Sequence, residues 1–256
     1  MKKWLCLLVA GLVLILSSSI TLAEEDIWVC LVCGDRQNTG AYCESCGNPK
    51  GNWMCFDCQA VNSKNYCKNC GKVKYEIVYR DDGTIYFGDL VNNVRDGKGL
   101  LAYSTSDEND RVAYIGDWKN DQRNGQGKHT YANGNIYEGE WKDDQKNGQG
   151  KMTYANGDIY EGEWKDDIRN GQGKMTYANG SVLEGEWKDD KLNGQVMMTY
   201  TNGDIYEGEW KDGKMNGQGK YTYASGNVLE GEWKDDKMNG QGKMTYATGD
   251  IYEGEW

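Results

Sequence analysis

The sequence predicts a mainly β chain: an elongated, single-layer antiparallel sheet of stacked β-hairpins, preceded by two small cysteine-rich modules. Three observations carry this. A phrase ending in Trp recurs at a strict 23-residue period through the C-terminal part of the chain. Within each copy large apolar and charged side chains alternate at period two, the mark of a strand. The chain is rich in Gly (35), Tyr (18) and Trp (10) and nearly free of Pro (1) and Phe (2). Compact cores are built from Leu, Ile, Val and Phe, whereas Tyr and Trp keep a polar handle and suit half-exposed surfaces. A thin sheet uses them better than a closed core does.

Taken in order, residues 1–23 read as a signal peptide. Met1-Lys2-Lys3 is a positive start, and Trp4 to Leu16 is an apolar run of the length such signals use. Thr21-Leu22-Ala23 places small residues where a signal peptidase reads, so cleavage is expected before Glu24. The alternative is an uncleaved anchor, for which the apolar run is short. The chain is therefore expected to be exported, to a periplasmic, extracellular or cell-surface location.

Residues 24–74 form the cysteine-rich segment. Of nine cysteines, Cys6 lies in the apolar run and the other eight fall between Cys30 and Cys70. They make four C-x-x-C pairs: Cys30 with Cys33, Cys43 with Cys46, Cys55 with Cys58, and Cys67 with Cys70. Each pair is a tight knuckle that turns two thiolates toward one ion, and two knuckles give the tetrahedral sulfur site that structural zinc takes. Gly34, Gly47 and Gly71 follow the second cysteine of three knuckles and free the backbone to turn there. Two zinc ribbons, 30–46 and 55–70, are expected, with one structural zinc ion each. Segments this short cannot fold on apolar burial alone, so metal binding would supply the folding energy. The competing reading is four disulfides, which an oxidising compartment favours. The two halves also match each other, Trp28-x-Cys30 with Trp53-x-Cys55 and Asn38 with Asn62. This pattern is similar to Ran-binding-protein-type zinc fingers and to double zinc ribbons. The resemblance implies the ligand set. It does not carry over RNA or ubiquitin recognition: the Cys33–Cys43 and Cys58–Cys67 spacings are shorter than in that family, Gly34-Asp35 and Gln59-Ala60 stand where ubiquitin-binding members have Thr-Phe, and an exported chain rarely meets either ligand.

Residues 75–256 are the repeats. Tyr137-Glu-Gly-Glu-Trp141 recurs at Tyr160–Trp164, Leu183–Trp187, Tyr206–Trp210, Leu229–Trp233 and Tyr252–Trp256, with variants at Tyr114–Trp118 and Tyr86–Leu90. Tyr137, Gly139 and Trp141 share one strand face, and Glu138 and Glu140 share the other. Gly150 to Tyr154 alternates in the same way, and Ala155-Asn156-Gly157 supplies turn residues that tolerate positive φ. Gly150 to Trp164 is thus predicted as one hairpin. Hairpin units are expected at 75–90, 99–118, 127–141, 150–164, 173–187, 196–210, 219–233 and 242–256. Framed this way the array ends on a finished unit, and it is expected to be complete. About 16 strands at about 4.8 Å each span roughly 70 Å. Stacking should bury each aromatic row against the next, leaving an aromatic groove on one face and a Glu–Lys ladder on the other. Val196 replaces a glycine and is expected to bend or bulge its strand. The stretch from Ser104 to Asp110 marks a contact site or a tolerated insertion. Leu183 and Leu229 replace Tyr in alternate copies, which points to duplication of a two-repeat block.

These motifs, Y-x-G-x-W followed by N-G-x-G, Tyr and Gly, resemble the MORN repeat over about 70% of the chain. The resemblance implies a scaffold that binds proteins or itself. No catalytic residue is expected. The single histidine, His129, fills the slot that Met152 and Met175 take in other copies. Glu161 and Glu163 repeat with the fold as a surface ladder. Asp143-Asp144 lacks the alternating oxygen order of calcium loops. The formal charge of −11 repels phosphate backbones, so no nucleic-acid partner is expected. A protein partner or self-association is expected through the array, and the alternative occupant of the aromatic groove is an envelope glycan or lipid. Intact mass separates the cysteine chemistries. Native spectra should show two bound zinc ions, whereas four disulfides would lower the denatured mass by the eight hydrogens of Cys30 to Cys70.

Overall fold

The computed structural model describes residues 53–54, 61–62, 77–103 and 111–256. The chain divides into two compact units, 1–134 and 135–256. The first unit contains a short antiparallel pair, β1 (Trp53–Met54) with β2 (Val61–Asn62). It then forms a meander of β3 (Ile77–Tyr79), β4 (Ile85–Val91), β5 (Val94–Ala102), β6 (Arg111–Lys119) and β7 (Gln122–Tyr131). The second unit continues the same plan with β8 (Ile136–Lys142), β9 (Gln145–Thr153), β10 (Ile159–Lys165), β11 (Ile168–Thr176), β12 (Val182–Lys188) and β13 (Lys191–Thr199). It ends with β14 (Ile205–Lys211), β15 (Lys214–Thr222), β16 (Val228–Lys234), β17 (Lys237–Thr245) and β18 (Ile251–Glu255). Within each unit every strand of the meander pairs antiparallel with the next in sequence order.

The strands are longer than the sequence suggested. β9 begins at Gln145 rather than Gly150, because the chain never leaves the sheet between repeats. Asp143-Asp144 makes a two-residue turn with φ of 49° and 68°, and Asp166-Asp167 repeats it at 50° and 70°. Two consecutive positive φ values define the turn whose twist matches paired strands, and Asp and Asn are the side chains that best tolerate it. Each repeat therefore has two hairpins: a wide turn such as Tyr154–Asp158 at one end and a tight acidic turn at the other. In the wide turn Tyr154 N–H donates to Asp158 O at 2.9 Å, and Gly157 N–H returns to Tyr154 O at 2.9 Å.

The Asn-Gly-Gln stretch, which falls between the expected hairpin units, is a bulge inside the strand. Gly162 pairs with Gly173 but Trp164 pairs with Arg169, so Asn170, Gly171 and Gln172 face Glu163 alone. Gly171 takes φ +113° there, and the Glu163 carboxylate accepts the Gln172 N–H at 3.0 Å. The same bond joins Glu140 to Gln149 (3.0 Å) and Asp117 to Gln126 (2.8 Å). The acidic residue before Trp is thus a bulge cap in these repeats.

Two further contacts tie repeat to repeat. Asp190 of one tight turn accepts the Arg169 N–H at 3.0 Å and the Arg169 Nε–H at 2.9 Å, while its own N–H donates to Arg169 O at 3.1 Å. Asp167 binds the Lys146 N–H and Asp236 binds the Met215 N–H in the same way. At the other end Asp158 accepts the Ala178 N–H (2.8 Å) and Asp204 the Ala224 N–H (2.8 Å).

The core is aromatic. Tyr137, Tyr160 and Tyr206 are fully buried. The Tyr160 ring lies across a cross-strand pair of glycines. A Cβ on Gly173 would sit 2.4 Å from Tyr160 Oη, and one on Gly162 would sit 2.6 Å from Gly173 Cα. The hydroxyl donates to Glu163 O at 3.1 Å. Where Leu183 replaces Tyr, the vacated space over Gly185 is filled by Val196, whose Cγ2 reaches 2.7 Å from where that Cβ would stand. Val196 pairs in register with Gly185 and Gly208, so it introduces no bulge of its own. The register shift beside it, between Gly185 and Trp187, is the one every described repeat carries. Beside Leu229 the same space is taken by Met238 Cε.

Two outcomes are expected. Gly173→Ala should destabilise the array by about 1–3 kcal/mol through overpacking against Tyr160. Tyr160→Leu with Gly173→Val, copying Leu183 with Val196, should recover much of the summed loss in a double-mutant cycle read by urea unfolding. The second outcome concerns acid. Partial burial raises the Asp190 carboxyl, but its bonds from Arg169 outweigh this and hold it below the usual carboxylate range. A depressed carboxyl stabilises above its unfolded value near 4 and loses that contribution as pH falls through the folded value. Asp190→Asn should therefore flatten the acid limb of a pH–melting profile below about pH 4. The neutral-pH loss should stay under about 1 kcal/mol because the pair is half exposed.

Candidate binding faces of the repeat array

One face of each unit carries the aromatic rows. In the second unit Tyr160 meets Trp164 edge-on at 5.3 Å and Trp187 at 5.3 Å, so each tyrosine bridges the tryptophans of two repeats. Tyr137 does the same with Trp141 (5.1 Å) and Trp164 (5.4 Å). Trp164 Nε1–H donates to Gly150 O at 3.2 Å. Cations lie over the outer ring faces: Arg169 at 4.2 Å from the Trp187 centroid and Lys146 at 4.6 Å from Trp164. Asp190 fixes the guanidinium in this place. In the first unit Arg95 covers Trp118 at 4.1 Å and is held by Asp121 at 2.8 Å. Beyond Trp187 the covering position becomes apolar, with Leu192, Met215 and Met238 cross-strand from Trp187, Trp210 and Trp233. Burial pushes the Tyr206 hydroxyl up to about 12 and raises that of Tyr160 as well. The rings expected to line an open groove are mostly buried: Trp141, Trp164 and Trp187 are at most 5% exposed.

The opposite face of the second unit is ordered in three rows. Nearest the wide turns, β-branched residues alternate across strands: Thr153, Ile159, Thr176, Val182, Thr199, Ile205. The middle row alternates charge: Glu138, Lys151, Glu161, Lys174, Glu184. Lys151 reaches Glu161 at 3.2 Å, Lys174 reaches Glu184 at 2.8 Å, and Lys243 reaches Glu253 at 3.5 Å. Toward the tight turns Glu163 stands beside Gln149. A shallow, open depression lies here, walled by Lys151, Glu161 and Gln172. The expected Glu–Lys ladder is therefore present, but only the first Glu of each phrase belongs to it. In the first unit the corresponding row turns apolar, with Phe87, Leu100 and Ile115 paired across β4, β5 and β6. Phe87 and Leu100 are buried.

The eight cysteines expected to bind zinc, Cys30 to Cys70, lie outside the described residues, as do the signal segment and the stretch from Ser104 to Asp110. His129 is buried opposite Tyr114, in the slot of Met152. Its Nδ1 is 3.2 Å from Arg123 Nη1, and its ring packs 4.3 Å from Tyr131. Among the described residues no group of three or more His, Cys, Asp or Glu side chains is placed to hold a metal ion. Sequence reasoning missed the cations over Trp118, Trp164 and Trp187. The signal was available in the recurring Arg or Lys at 95, 123, 146 and 169, two residues before Gly97, Gly125, Gly148 and Gly171.

A family model described as MORN repeat matches residues 86–108, 114–136, 137–159, 160–182, 184–205, 206–228 and 230–251. No curated protein matches the chain. Among solved structures it is similar to the wild-type TCP10 domain of Danio rerio CPAP, at 12% identity over 73% of this chain and 86% of that one, with a TM-score of 0.45. It is also similar to the SAS-4 (dCPAP) TCP domain of Drosophila melanogaster, solved in complex with a proline rich motif of Ana2 (dSTIL). The identity there is 15% over 71% of this chain and 90% of that one, with a TM-score of 0.39. Seven matched copies cover more than half of the sequence, and they fall on the turns, bulges and tyrosine–glycine contacts described above: the chain belongs to the MORN-repeat family.

Proposed function

We propose that the chain is a non-catalytic, exported scaffold whose repeat array mediates protein–protein contact. Its eight cysteines would hold two structural zinc ions in ribbons that cap or orient the array. The observation that carries the reading is how the two faces divide the work. The tyrosines and tryptophans of the inner repeats, such as Tyr137, Trp141, Tyr160, Trp164 and Trp187, are consumed in holding repeats together, and the other face presents regular rows of polar and charged side chains on a hydrogen-bonded frame. Such a surface suits recognition by shape and charge along its length.

The carboxylates that could suggest acid–base work have structural duties. Glu163 caps a bulge and Glu161 pairs with Lys151. Sugar stacking requires exposed rings, and anionic-lipid docking requires a cationic surface. A fully buried Tyr160 and a formal charge of −11 favour neither. The apolar Phe87–Leu100–Ile115 row supports a seat for the preceding cysteine-rich segment, since the equivalent positions of later repeats carry Glu and Lys.

Cross-linking in the intact source cell, with an amine-reactive reagent and peptide mass spectrometry, tests the scaffold. Lysines of the array, Lys151 and Lys174 among them, should link to another protein or to a second copy. Links confined to the chain itself at native abundance would overturn the reading.

A further inference from the structure

We propose that the charged face carries one specific docking point, centred on Met197, for an extended cationic segment of a partner protein that places an apolar side chain between its cations. This rests on the scaffold reading and locates its contact.

The middle row of the charged face follows one rule. Lys151, Lys174, Lys220 and Lys243 each stand between two glutamates on neighbouring strands. Met197 occupies that position on β13, between Glu184 on β12 and Glu207 on β14. It is 41% exposed, whereas most large apolar side chains of the second unit are covered. Cross-strand neighbours on one face stand about 4.5–5.5 Å apart at Cβ, close enough for an ammonium to serve both glutamates. Methionine cannot do so. Glu184 retains Lys174 at 2.8 Å on its other side. Glu209 on β14 is cross-strand from Gln195, and Glu186 on β12 lies in the bulge between the pairs Gly185–Val196 and Trp187–Leu192. The result is an exposed thioether in a ring of glutamates, Glu184 and Glu207 cross-strand from it and Glu209 diagonal to it, with no lysine at the centre.

Position on the strand adds an apolar margin. Thr199, next on the same face of β13, pairs with Val182 and Ile205. Methionine adapts its shape to apolar partners, and Glu184 and Glu207, each with a lysine on its outer side only, leave a place for a further lysine or arginine between them. The backbone of β13 is hydrogen-bonded on both sides, so a partner cannot join as an added strand and must bind through side chains. An extended segment of the type Lys-x-apolar-x-Lys fits. Its same-side residues repeat every 6–7 Å or so, and its two lysines stand about 13 Å apart, against roughly 10 Å between Glu184 and Glu207 two strands apart. Lysine stems absorb the difference. Phosphate-bearing partners and anionic membranes are repelled by the same ring.

The test titrates the full-length chain with a fluorescent peptide built on Lys-Ser-Leu-Ser-Lys, at low and physiological salt. One saturable site is expected, weakened by salt. Met197→Lys should weaken it by about tenfold or more, while Met197→Leu should keep it within about threefold. A peptide with Ser in place of Leu should bind about tenfold worse. Met197→Lys installs the residue of the sister repeats, so its melting temperature should not fall, and loss of binding then reports the surface. Unchanged affinity in Met197→Lys, equal binding of the Leu-free peptide, or many peptides per chain would overturn the proposal. Repeating the cellular cross-linking with Met197→Lys separates the two readings. Partners captured equally by both chains sink the docking point and leave the scaffold standing, whereas no partner for the wild type removes the scaffold itself.

Discussion

A tyrosine ring laid flat over two facing glycines is the contact on which the array depends. At Tyr160 the ring occupies the volume that Cβ atoms on Gly162 and Gly173 would need, and its hydroxyl closes onto Glu163 O. A single-layer sheet has no second layer to cover its apolar side. The glycines let the ring sink onto the backbone, and the neighbouring tryptophans close over its edges at 5.3 Å. Burial is thereby achieved within one layer. The period of the sequence follows, because each ring needs its own two glycines and two tryptophans.

Polar groups serve the same end. A two-residue acidic turn lets one strand return directly into the next, and its second Asp fastens the turn to the preceding repeat, as Asp190 does with Arg169. The arginine so fixed lies on Trp187. One carboxylate therefore couples turn geometry, strand spacing and ring coverage. Stability in such arrays is a nearest-neighbour sum, and the Asp–Arg–Trp group adds a modest share to it where the arginine is present.

The period, the strand faces, the wide turns and the Glu–Lys row were legible in the sequence, since they follow from alternation and turn chemistry. The tight turns were not, because Asp-Asp lacks the glycine that usually announces a two-residue hairpin. The bulge was hidden for a related reason. Asn-Gly-Gln-Gly reads as a turn, and only the Glu163 bond to the Gln172 N–H shows that the chain keeps its course there. Val196 was misread for want of context. A valine in a glycine position is intrusive over Tyr and fitting beside Leu183, and this compensation runs across strands 13 residues apart in the chain. Exposure of the rings could not be read from alternation, which gives a face and not what covers it.

The sequential pairing of β8 to β18 has a mechanical consequence. Within this unit the strands follow one another across the sheet in sequence order, so tension applied between β8 and β18 pulls across the strands and opens hydrogen-bonded rows one at a time. Resistance is then set by the weakest single strand pair rather than by all pairs at once. Under load this unit should lengthen in small steps of similar size and re-form from any hairpin still closed. A chain built on this plan gives way gradually between whatever it connects, and it recovers its length when the load is removed.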